Sequence, residues 1–271
     1  MLIWRNTMKS FITTIAVFGS VCSMLVPLVQ TETAIAAPSL LHLNQSVRIQ
    51  PQILAFTDIS GVDGETEIRQ LAQLGVLEPA SGGFRPRSSI TRAEFITWLV
   101  KSYNALQTHN VRKPTLIRLP DRSRSAFRDV SPSHPAFRYI QAAYDAGFLA
   151  GYEDGTFRPD AVLTREEMIV LKSPVDSRGS GNSSRSAESL RNFIQRTKGF
   201  QDADRMSERY LTHIAFDLGN AASGRNFERV YGARSRYEPQ KAVSRAEAAV
   251  ALSQFRRAGT AAQAIEKLNR R

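Results

Sequence analysis

One pattern, repeated three times in the same order, limits the folds open to this chain more than any other feature of its sequence. Each copy begins with an F-x-D motif, has a glycine near its middle and ends in an [ST]-R-x-E motif. The copies begin at Phe56, Phe127 and Phe200, so their starts lie about 70 residues apart. A repeat of this kind predicts small similar units that bury their apolar faces by packing against one another.

The residues inside each copy indicate two helices joined by a loop. In the second copy, Phe137 and Ile140 lie at helical spacing, and Gly147 is suited to ending that helix. A loop rich in turn residues follows at 151–159, before a second helix that begins near Thr164. The sequence therefore predicts a mainly α fold of three helix-loop-helix units, which we call the first, second and third segments: residues 56–104, 127–172 and 200–255.

Each second helix begins with a pair of residues suited to capping its N-terminus. A Ser or Thr hydroxyl at the N-cap accepts a hydrogen bond from the N–H three residues on, and the Glu at that position accepts one from the N-cap N–H. This structural role is a simpler explanation of the three Glu residues than acid–base chemistry. The predicted capping boxes are Thr91 with Glu94, Thr164 with Glu167, and Ser244 with Glu247.

The Arg between the two capping residues has no such explanation. Arg92, Arg165 and Arg245 each lie beside the positive end of a helix dipole, where a cation does not stabilise the helix. A helix N-terminus next to a guanidinium group is suited to binding a carboxylate or a phosphate. The alternative is an Arg that is solvated or paired with an acid. Because the three Arg are in register, we expect a ligand role for at least one of them.

These motifs resemble those of the S-layer homology (SLH) domain. The F-x-D start, the L-x-x-x-G-[IVF]-[IL] centre, the G-x-F-x-P loop and the I-T-R-A-E motif are hallmarks of that family, and the resemblance covers about residues 51–256. It implies three SLH repeats whose helices pack about a shared axis as a pseudo-threefold unit. It also implies non-covalent anchoring of an exported protein to an anionic polysaccharide attached to peptidoglycan. In relatives this polysaccharide often carries a pyruvate ketal.

The resemblance also implies roles for single residues in grooves between the repeats. Three kinds of residue match ligand-binding positions of the family: the Arg of [ST]-R-x-E, the Asp of F-x-D, which caps the first helix or orients the site, and a loop glycine that lets backbone approach a ligand closely. They are Arg92, Arg165 and Arg245; Asp58, Asp129 and Asp202; and Gly83 and Gly155.

The chain departs from the family pattern in two places. The third segment has no G-x-F-x-P motif and carries an enlarged loop at 220–236. In the second segment, Glu166 stands where the other two segments have Ala93 and Ala246. The first two grooves therefore keep more of the family pattern than the third.

The N-terminal 36 residues have the three parts of a secretory signal. Arg5 and Lys9 are basic, residues 11–29 are apolar and uncharged, and Ala34-Ile35-Ala36 is a small-x-small site suited to cleavage. The alternative is a retained membrane anchor. We expect residues 1–36 to be a signal peptide and the mature chain, which has no further membrane span, to be exported to the cell envelope.

The net charge of +11 indicates an acidic partner, and export makes that partner a wall polymer rather than nucleic acid. The excess of basic residues lies outside the predicted segments. It lies mainly in a basic linker at 105–126, a Ser/Gly/Arg-rich linker at 173–199 and a basic tail at 256–271, whereas the lead at 37–55 contributes little. These connecting parts are either solvated or add a salt-sensitive attraction to an anionic wall.

The sequence contains little that would support catalysis or metal binding. A single Cys excludes a disulfide framework, and neither G-x-S-x-G nor H-E-x-x-H occurs. An EF-hand with Gly155 at its sixth position would have Ala150 and Ala161 at its first and twelfth positions. Neither side chain can bind calcium, so an EF-hand is excluded. We expect no catalytic residue, cofactor or metal, and a protein of the envelope as a further partner. The alternative is a cell-wall-active hydrolase with unrecognised catalytic carboxylates.

Overall fold

A computed structural model describes residues 56–78, 83–121, 124–177, 184–219 and 225–270. The predicted signal peptide, 1–36, and lead, 37–55, lie outside these residues. The described part of the chain is mainly helical, as predicted. Its α-helices are α1 (Glu65–Gln73), α2 (Arg92–Asn110), α3 (Phe137–Asp145), α4 (Arg165–Ser177), α5 (Ala187–Asn192), α6 (Leu211–Gly219), α7 (Asn226–Tyr231), α8 (Arg245–Leu252) and α9 (Ala261–Asn269).

Shorter elements complete the described fold. A two-residue hairpin pairs β1 (Gln254–Phe255) with β2 (Gly259–Thr260), and a π-helical turn at Phe193–Thr197 follows α5. Two turns of 3-10 helix, Ala203–Arg205 and Glu208–Tyr210, lead into α6. Across the described residues, no helix combines the length and the apolar character needed to cross a membrane.

An aromatic pair holds the start of each segment against its own loop. The rings of Phe56 and Phe84 are 5.2 Å apart between centroids, and those of Phe127 and Phe157 are 5.5 Å apart. In the third segment, Phe200 packs in the same way on a tyrosine ring, that of Tyr237, at 5.5 Å. These buried pairs explain why the F-x-D start recurs together with an aromatic residue before the loop proline.

The N-terminus of each second helix lies against the loop of another segment. In α2, the N–H groups of Arg92 and Ala93 donate to the carbonyls of Ala161 (3.0 Å) and Pro159 (2.9 Å). The same bonds join α4 to the third segment and α8 back to the first, so the contacts close into a ring. They are Arg165 to Lys241 (2.9 Å), Glu166 to Pro239 (3.1 Å), Arg245 to Ser88 (2.9 Å) and Ala246 to Pro86 (3.0 Å).

The second helices also pack on the first helices of the segments that follow in the ring. α2 packs against α3, α4 against α6, and α8 against α1. α2 and α8 contact each other as well. The core therefore runs continuously through the described segments, with buried Phe, Leu, Ile and Ala side chains on both sides of each junction.

The segments differ from the sequence prediction at their ends. α2 continues to Asn110, past the predicted boundary at residue 104, and α5 with its π-helical turn lies within the predicted linker at 173–199. The enlarged loop at 220–236 contains α7. The polar residues of these stretches favour connecting loops. The sequence does not show which surface of the fold a short helix will cover, and so these helices are not predicted.

The basic tail predicted at 256–271 contains part of the β-hairpin and α9. α9 packs against α2, and Asn110 at the end of α2 donates its side-chain N–H to the carbonyls of Ala258 (2.8 Å) and Thr260 (3.0 Å). Thr260 caps α9 with its hydroxyl, and Gln263 completes a capping box. Among the described basic residues of this stretch, Arg256 and Arg257 lie between the two strands, Lys267 lies in α9 and Arg270 is the C-cap of that helix.

The capping hydroxyl of the second segment provides a test of these helix starts. Thr164 Oγ1 accepts from the Glu167 N–H at 3.4 Å, and the Glu167 carboxylate accepts from the Thr164 N–H at 3.1 Å. We expect Thr164→Ala to lower the free energy of unfolding by about 1 kcal/mol in urea titrations, because it removes one acceptor. Thr164→Ser is the matched control and should retain stability, since Ser244 caps α8. Equal urea midpoints for Thr164→Ala and wild type would contradict the capping role.

Candidate binding site between segments

The Arg of each [ST]-R-x-E motif is buried where segments meet. Arg92 is only 3% exposed, and its Nε donates to the carbonyl of Phe157 at 2.9 Å. Its Nη1 lies 3.2 Å from Oε1 of Glu167, the capping Glu of the next segment. One carboxylate therefore serves both a helix N-terminus and the Arg of the preceding segment.

Arg245 repeats this arrangement between the third and first segments. Its Nε donates to the carbonyl of Phe84 at 2.8 Å, and its Nη1 donates to Glu94 Oε1 at 2.6 Å. The guanidinium group lies 4.7 Å from the ring centre of Trp98. Burial lowers the pKa of Arg245, whereas the carboxylate of Glu94 acts in the opposite direction. Arg245 is thus an internal ion-pair partner, with Trp98 packed against it.

Arg165 is the most enclosed of the three. It is 2% exposed, and its Nη1 donates to the carbonyl of Tyr237 at 3.1 Å and to Glu238 Oε2 at 2.6 Å. Its Nη2 lies 3.9 Å from Glu247 Oε1, and its guanidinium group lies 4.0 Å from the ring centre of Tyr231. The same pattern of carbonyl and carboxylate partners therefore recurs in all three positions.

These contacts correct one part of the sequence argument. The sequence predicts that each helix N-terminus and its Arg bind an anion together. The N–H groups of the first two helical residues donate instead to carbonyls of the neighbouring loop, and the third donates to the capping hydroxyl. Because no donor of the first turn is left over, only side chains remain to bind a ligand at these junctions.

The Asp of each F-x-D start organises the loop rather than capping the first helix. Asp129 Oδ1 accepts from the Phe157 N–H at 2.8 Å, and Oδ2 accepts from the Arg158 N–H at 2.7 Å. Asp58 and Asp202 make the same pair of bonds in their own loops. The two donors lower the pKa of Asp58. The capping alternative is wrong, because Gly64 and Ala136 occupy the N-caps of α1 and α3.

The two loop glycines do not occupy equivalent positions. Gly83 directly precedes the Phe that is bonded to its Asp, whereas Gly155 lies two residues before the equivalent Phe157. A Cβ on Gly83 would come within 2.7 Å of the Asp58 carboxylate. The close approach that this glycine permits is therefore to the Asp58 side chain and not to a ligand. Gly155 has a φ of 74°, and among the described residues no heavy atom beyond its own chain neighbours lies within 4 Å of where its Cβ would be. It is needed for its left-handed conformation.

A cavity of about 230 Å³ opens at the junction of the second and third segments. Arg92 and Glu167 lie in its wall, together with the backbone from Gly147 to Gly151. The opposite wall is formed by the start of α6 and the turn before it: Arg209, Tyr210 and His213. Arg92 is therefore the motif Arg that reaches this space.

The other two junctions are arranged differently. A cleft between the first and second segments is lined by Trp98, His134 and Ala136, and Arg245 is not among the residues that line it. At the junction of the third and first segments, a Cβ on Gly64 would lie 2.7 Å from Val250 Cγ2, so α1 and α8 approach closely. The three junctions share a backbone pattern but not a cavity.

Tyr152 is not among the described residues that line the cavity, but it contacts three that do. Its hydroxyl donates to the Glu167 carboxylate, and the guanidinium groups of Arg92 and Arg209 each lie 4.9 Å from its ring centre. Burial and the bond to Glu167 raise the pKa of Tyr152, and burial also raises that of Tyr210. Both hydroxyls are therefore protonated at neutral pH. The described residues bring together no cluster of His, Cys, Asp and Glu suited to holding a metal ion.

A buried ion pair between Lys172 and Asp176 lies near this cavity, and the sequence does not predict it. Lys172 has no exposed surface; its Nζ donates to Asp176 Oδ2 at 2.9 Å and lies 3.8 Å from the ring centre of Phe255. Burial lowers the pKa of Lys172 to about 8, against the opposing effect of Asp176. Their i, i+4 spacing was the one available signal, but such pairs are usually solvated.

The same network fixes the helix inside the enlarged loop. Asp217 accepts from the N–H groups of Asn226 (2.9 Å) and Phe227 (3.0 Å) at the start of α7. The Asn226 side chain donates in turn to Asp176 Oδ2 at 2.9 Å. Burial raises the pKa of Asp217 to about 6. α4, α6 and α7 are therefore joined by buried polar contacts rather than by apolar packing alone.

Comparisons with known proteins identify part of this chain. The family model for the S-layer homology domain matches residues 55–96 and 126–169, which fall in the first and second segments. The resemblance to that domain is confirmed at these two places. The third segment, 200–255, is not among the matched residues.

Three curated proteins are similar over a third of the chain or slightly less. Cell surface glycoprotein 1 of Acetivibrio thermocellus is 35% identical over 90 residues, 33% of this chain and 4% of that protein. The cellulosome-anchoring protein of the same organism is 34% identical over 90 residues, 33% of this chain and 18% of that protein. An endoglucanase of a Bacillus species is 32% identical over 88 residues, 32% of this chain and 8% of that enzyme. The chain thus spans less than a fifth of each relative.

The buried ion pair predicts a large effect from a substitution of similar volume. We expect Lys172→Met to lower the free energy of unfolding by about 3–5 kcal/mol in urea titrations, because it leaves Asp176 buried without its cation. Lys101→Met is the matched control: it removes the exposed pair with Glu78 and should cost less than about 1 kcal/mol. Equal losses in the two variants would contradict the burial argument.

His213 predicts how stability depends on acid. Burial lowers its pKa below the ordinary 6.5, so protonation is disfavoured in the folded state. Its contribution is present above pH 6.5 and is lost as the pH falls through the folded-state pKa. We expect the Tm of His213→Gln to fall less than that of wild type between about pH 7 and pH 5, measured by circular dichroism. Parallel curves of Tm against pH would contradict this assignment.

Proposed function

We propose that this chain is exported and is held at the cell envelope by non-covalent binding to an anionic polysaccharide attached to peptidoglycan. The binding unit consists of three SLH repeats, at 56–104, 127–172 and 200–255, arranged with pseudo-threefold symmetry. The sequence signal at 1–36 supports export. The matches at 55–96 and 126–169 support the first two repeats and the envelope location.

The third repeat is supported by its contacts. Asp202 bonds the N–H groups of Tyr237 and Glu238 as the other two Asp residues bond their loops. Ser244 and Glu247 form the same capping box as Thr91 and Glu94. The third segment thus supplies every backbone contact that the ring needs. It differs from the family pattern in its enlarged loop, which contains helix α7.

The observation that carries the polysaccharide assignment is the cavity beside Arg92. It is lined by the guanidinium group of Arg92, by Tyr210 with its protonated hydroxyl, and by a stretch with two glycines, which together suit an anionic sugar. Arg165 and Arg245 act in this proposal through the packing of the repeats. Asp58, Asp129 and Asp202, with Gly83 and Gly155, shape the loops that form the walls.

A binding role is better supported than a catalytic one. A glycosidase needs a pair of carboxyl groups about 5–10 Å apart, flanking the bond to be cleaved. Among the described residues lining this cavity, Glu167 is the one acid, and its carboxylate is already engaged by Arg92, Tyr152 and the N-cap of α4. The endoglucanase match covers 8% of that enzyme, which is too little to support the same catalytic activity in this chain.

An envelope protein is a further partner in this proposal. The cellulosome-anchoring protein is named for anchoring a cellulosome, and the shared stretch is 33% of this chain. We propose a similar tethering role, in which this chain provides the attachment to the wall. The charge of the chain adds a salt-sensitive attraction to an anionic wall.

Cosedimentation with purified peptidoglycan sacculi tests the proposal. Wild type should pellet with sacculi that carry their polysaccharide and stay in solution with sacculi from which it has been removed. Arg92→Lys keeps the charge but loses the planar fork, and should bind about tenfold more weakly. Arg245→Lys is the matched control, because it alters an equivalent ion pair that does not reach the cavity, and should bind like wild type.

Two outcomes would overturn separate parts of the proposal. Wild type that pellets equally with both kinds of sacculi, or with neither, would exclude anchoring through the polysaccharide. Equal weakening by Arg92→Lys and Arg245→Lys would mean that the effect arises from packing, and the cavity would no longer be the site. Circular dichroism on each variant establishes that it is folded.

A further inference from the structure

Glu166 is the residue at which the second segment departs from the other two, and the structure shows what it contacts. The side chain is 2% exposed, although Ala occupies the same position in the other motifs. Its carboxylate accepts from the Ser207 N–H at 2.9 Å and from the Ser207 hydroxyl at 2.6 Å. The Gln240 side chain donates to it as well. A buried carboxylate with three such donors has a fixed position.

Ser207 directly precedes the 3-10 turn Glu208–Tyr210, so Glu166 fixes the start of that turn. Arg209 lies two residues after Ser207, and its side chain extends across the cavity from the third segment to the second. Its Nη2 donates to the carbonyl of Gly151 at 3.3 Å, and its guanidinium group lies 4.9 Å from the Tyr152 ring centre. The orientation of the wall that carries Arg209 therefore depends on a buried carboxylate of the second segment.

Arg209 brings a second positive charge to the cavity. The guanidinium groups of Arg92 and Arg209 lie at the same distance, 4.9 Å, from the Tyr152 ring centre, so they are at most twice that distance apart. Arg92 is paired with Glu167, whereas no carboxylate in the described part of the chain forms a salt bridge with Arg209. The cavity therefore has an excess of positive charge facing solvent.

The other junctions have no counterpart to this cation. Counted from the Phe that opens each segment, Arg209 corresponds to Ala136 in the second segment and to Glu65 in the first. Glu65 is engaged with Arg69 in the same helix. The sequences therefore supply a neutral residue at one junction and an acid at the other, and only the third segment supplies an Arg.

We infer that Arg209 is a second anion-binding residue of the cavity and that Glu166 is the residue that positions it. This inference rests on the proposed function. The ligand group is an oxyanion of a sugar unit, either a carboxylate or a phosphate, that approaches Arg92 and Arg209 together. The junction of the second and third segments is then the principal polysaccharide site, because two guanidinium groups line its cavity, whereas no Arg is among the residues lining the cleft between the first and second segments.

Binding isotherms with polysaccharide-bearing sacculi test this inference. Arg209→Ala should weaken binding about tenfold to a hundredfold, the loss typical of hydrogen bonds between charged groups. Arg209→Lys should recover part of that loss, since it restores the charge without the fork. Arg205→Ala is the matched control: it removes an exposed Arg from the preceding 3-10 turn, which does not line this cavity, and should bind like wild type.

Glu166→Ala tests the positioning role with a residue that the chain already uses at the equivalent places. It should remain folded and bind about threefold to tenfold more weakly, and Glu166→Gln, which retains an acceptor for Ser207, should bind more tightly than Glu166→Ala. If Glu166 acts through Arg209, the double variant Glu166→Ala/Arg209→Ala should bind no more weakly than Arg209→Ala alone. Additive losses would overturn the positioning role.

The outcomes separate this inference from the proposed function. If wild type binds sacculi and Arg209→Ala binds as tightly as Arg205→Ala, the second anion contact is wrong while anchoring stands. If wild type does not bind, the proposed function itself fails. Sacculi whose carboxyl groups have been chemically reduced identify the oxyanion: loss of the Arg209-dependent part of the affinity indicates a carboxylate, and its retention indicates a phosphate.

Discussion

The structure depends on one constraint: the unpaired N–H groups of three buried helix N-termini must find acceptors. Each set finds them in the loop of another segment, at the carbonyl of the loop proline and at one two residues further on. The loop can present these carbonyls because the residue before the proline is left-handed, with φ of 55° at Arg85, 59° at Arg158 and 54° at Glu238. This conformation costs on the order of 1 kcal/mol for a residue other than glycine, and the Asp of F-x-D stabilises it by accepting that residue's N–H.

The sequence predicts the parts of this ring that are local. Capping residues and helical periodicity act over three or four positions, so the starts of α2, α4 and α8 could be placed from Thr91, Thr164 and Ser244. The partners of Arg92 could not be predicted, because Phe157 and Glu167 are distant from it in the chain. Nothing in the spacing shows which loop will face which helix. The same reason explains why α9 was predicted as a tail: its apolar face is recognisable only beside α2.

The three junctions show how a repeated backbone can carry unequal sites. The ring bonds involve main-chain groups at positions that the three copies share, so they tolerate different side chains at the other positions. Trp98, Tyr152 and Tyr231 then give each buried Arg a different aromatic neighbour. Where a polar group lies inside, as with Glu166, Lys172 and Asp217, it is hydrogen-bonded to other residues, because a buried group without partners would destabilise the core.

Closure of the ring also has a consequence for how the chain is made. Arg245 donates to the carbonyl of Phe84, 161 positions earlier, and α8 provides the last of the three helix starts. During synthesis, the loop of the first segment therefore lacks its partner until residue 245 has left the ribosome. Contacts of such long sequence separation slow folding, since the intervening chain must be ordered before they are gained. A chain that ends before Arg245 would leave the carbonyl of Phe84 without this donor.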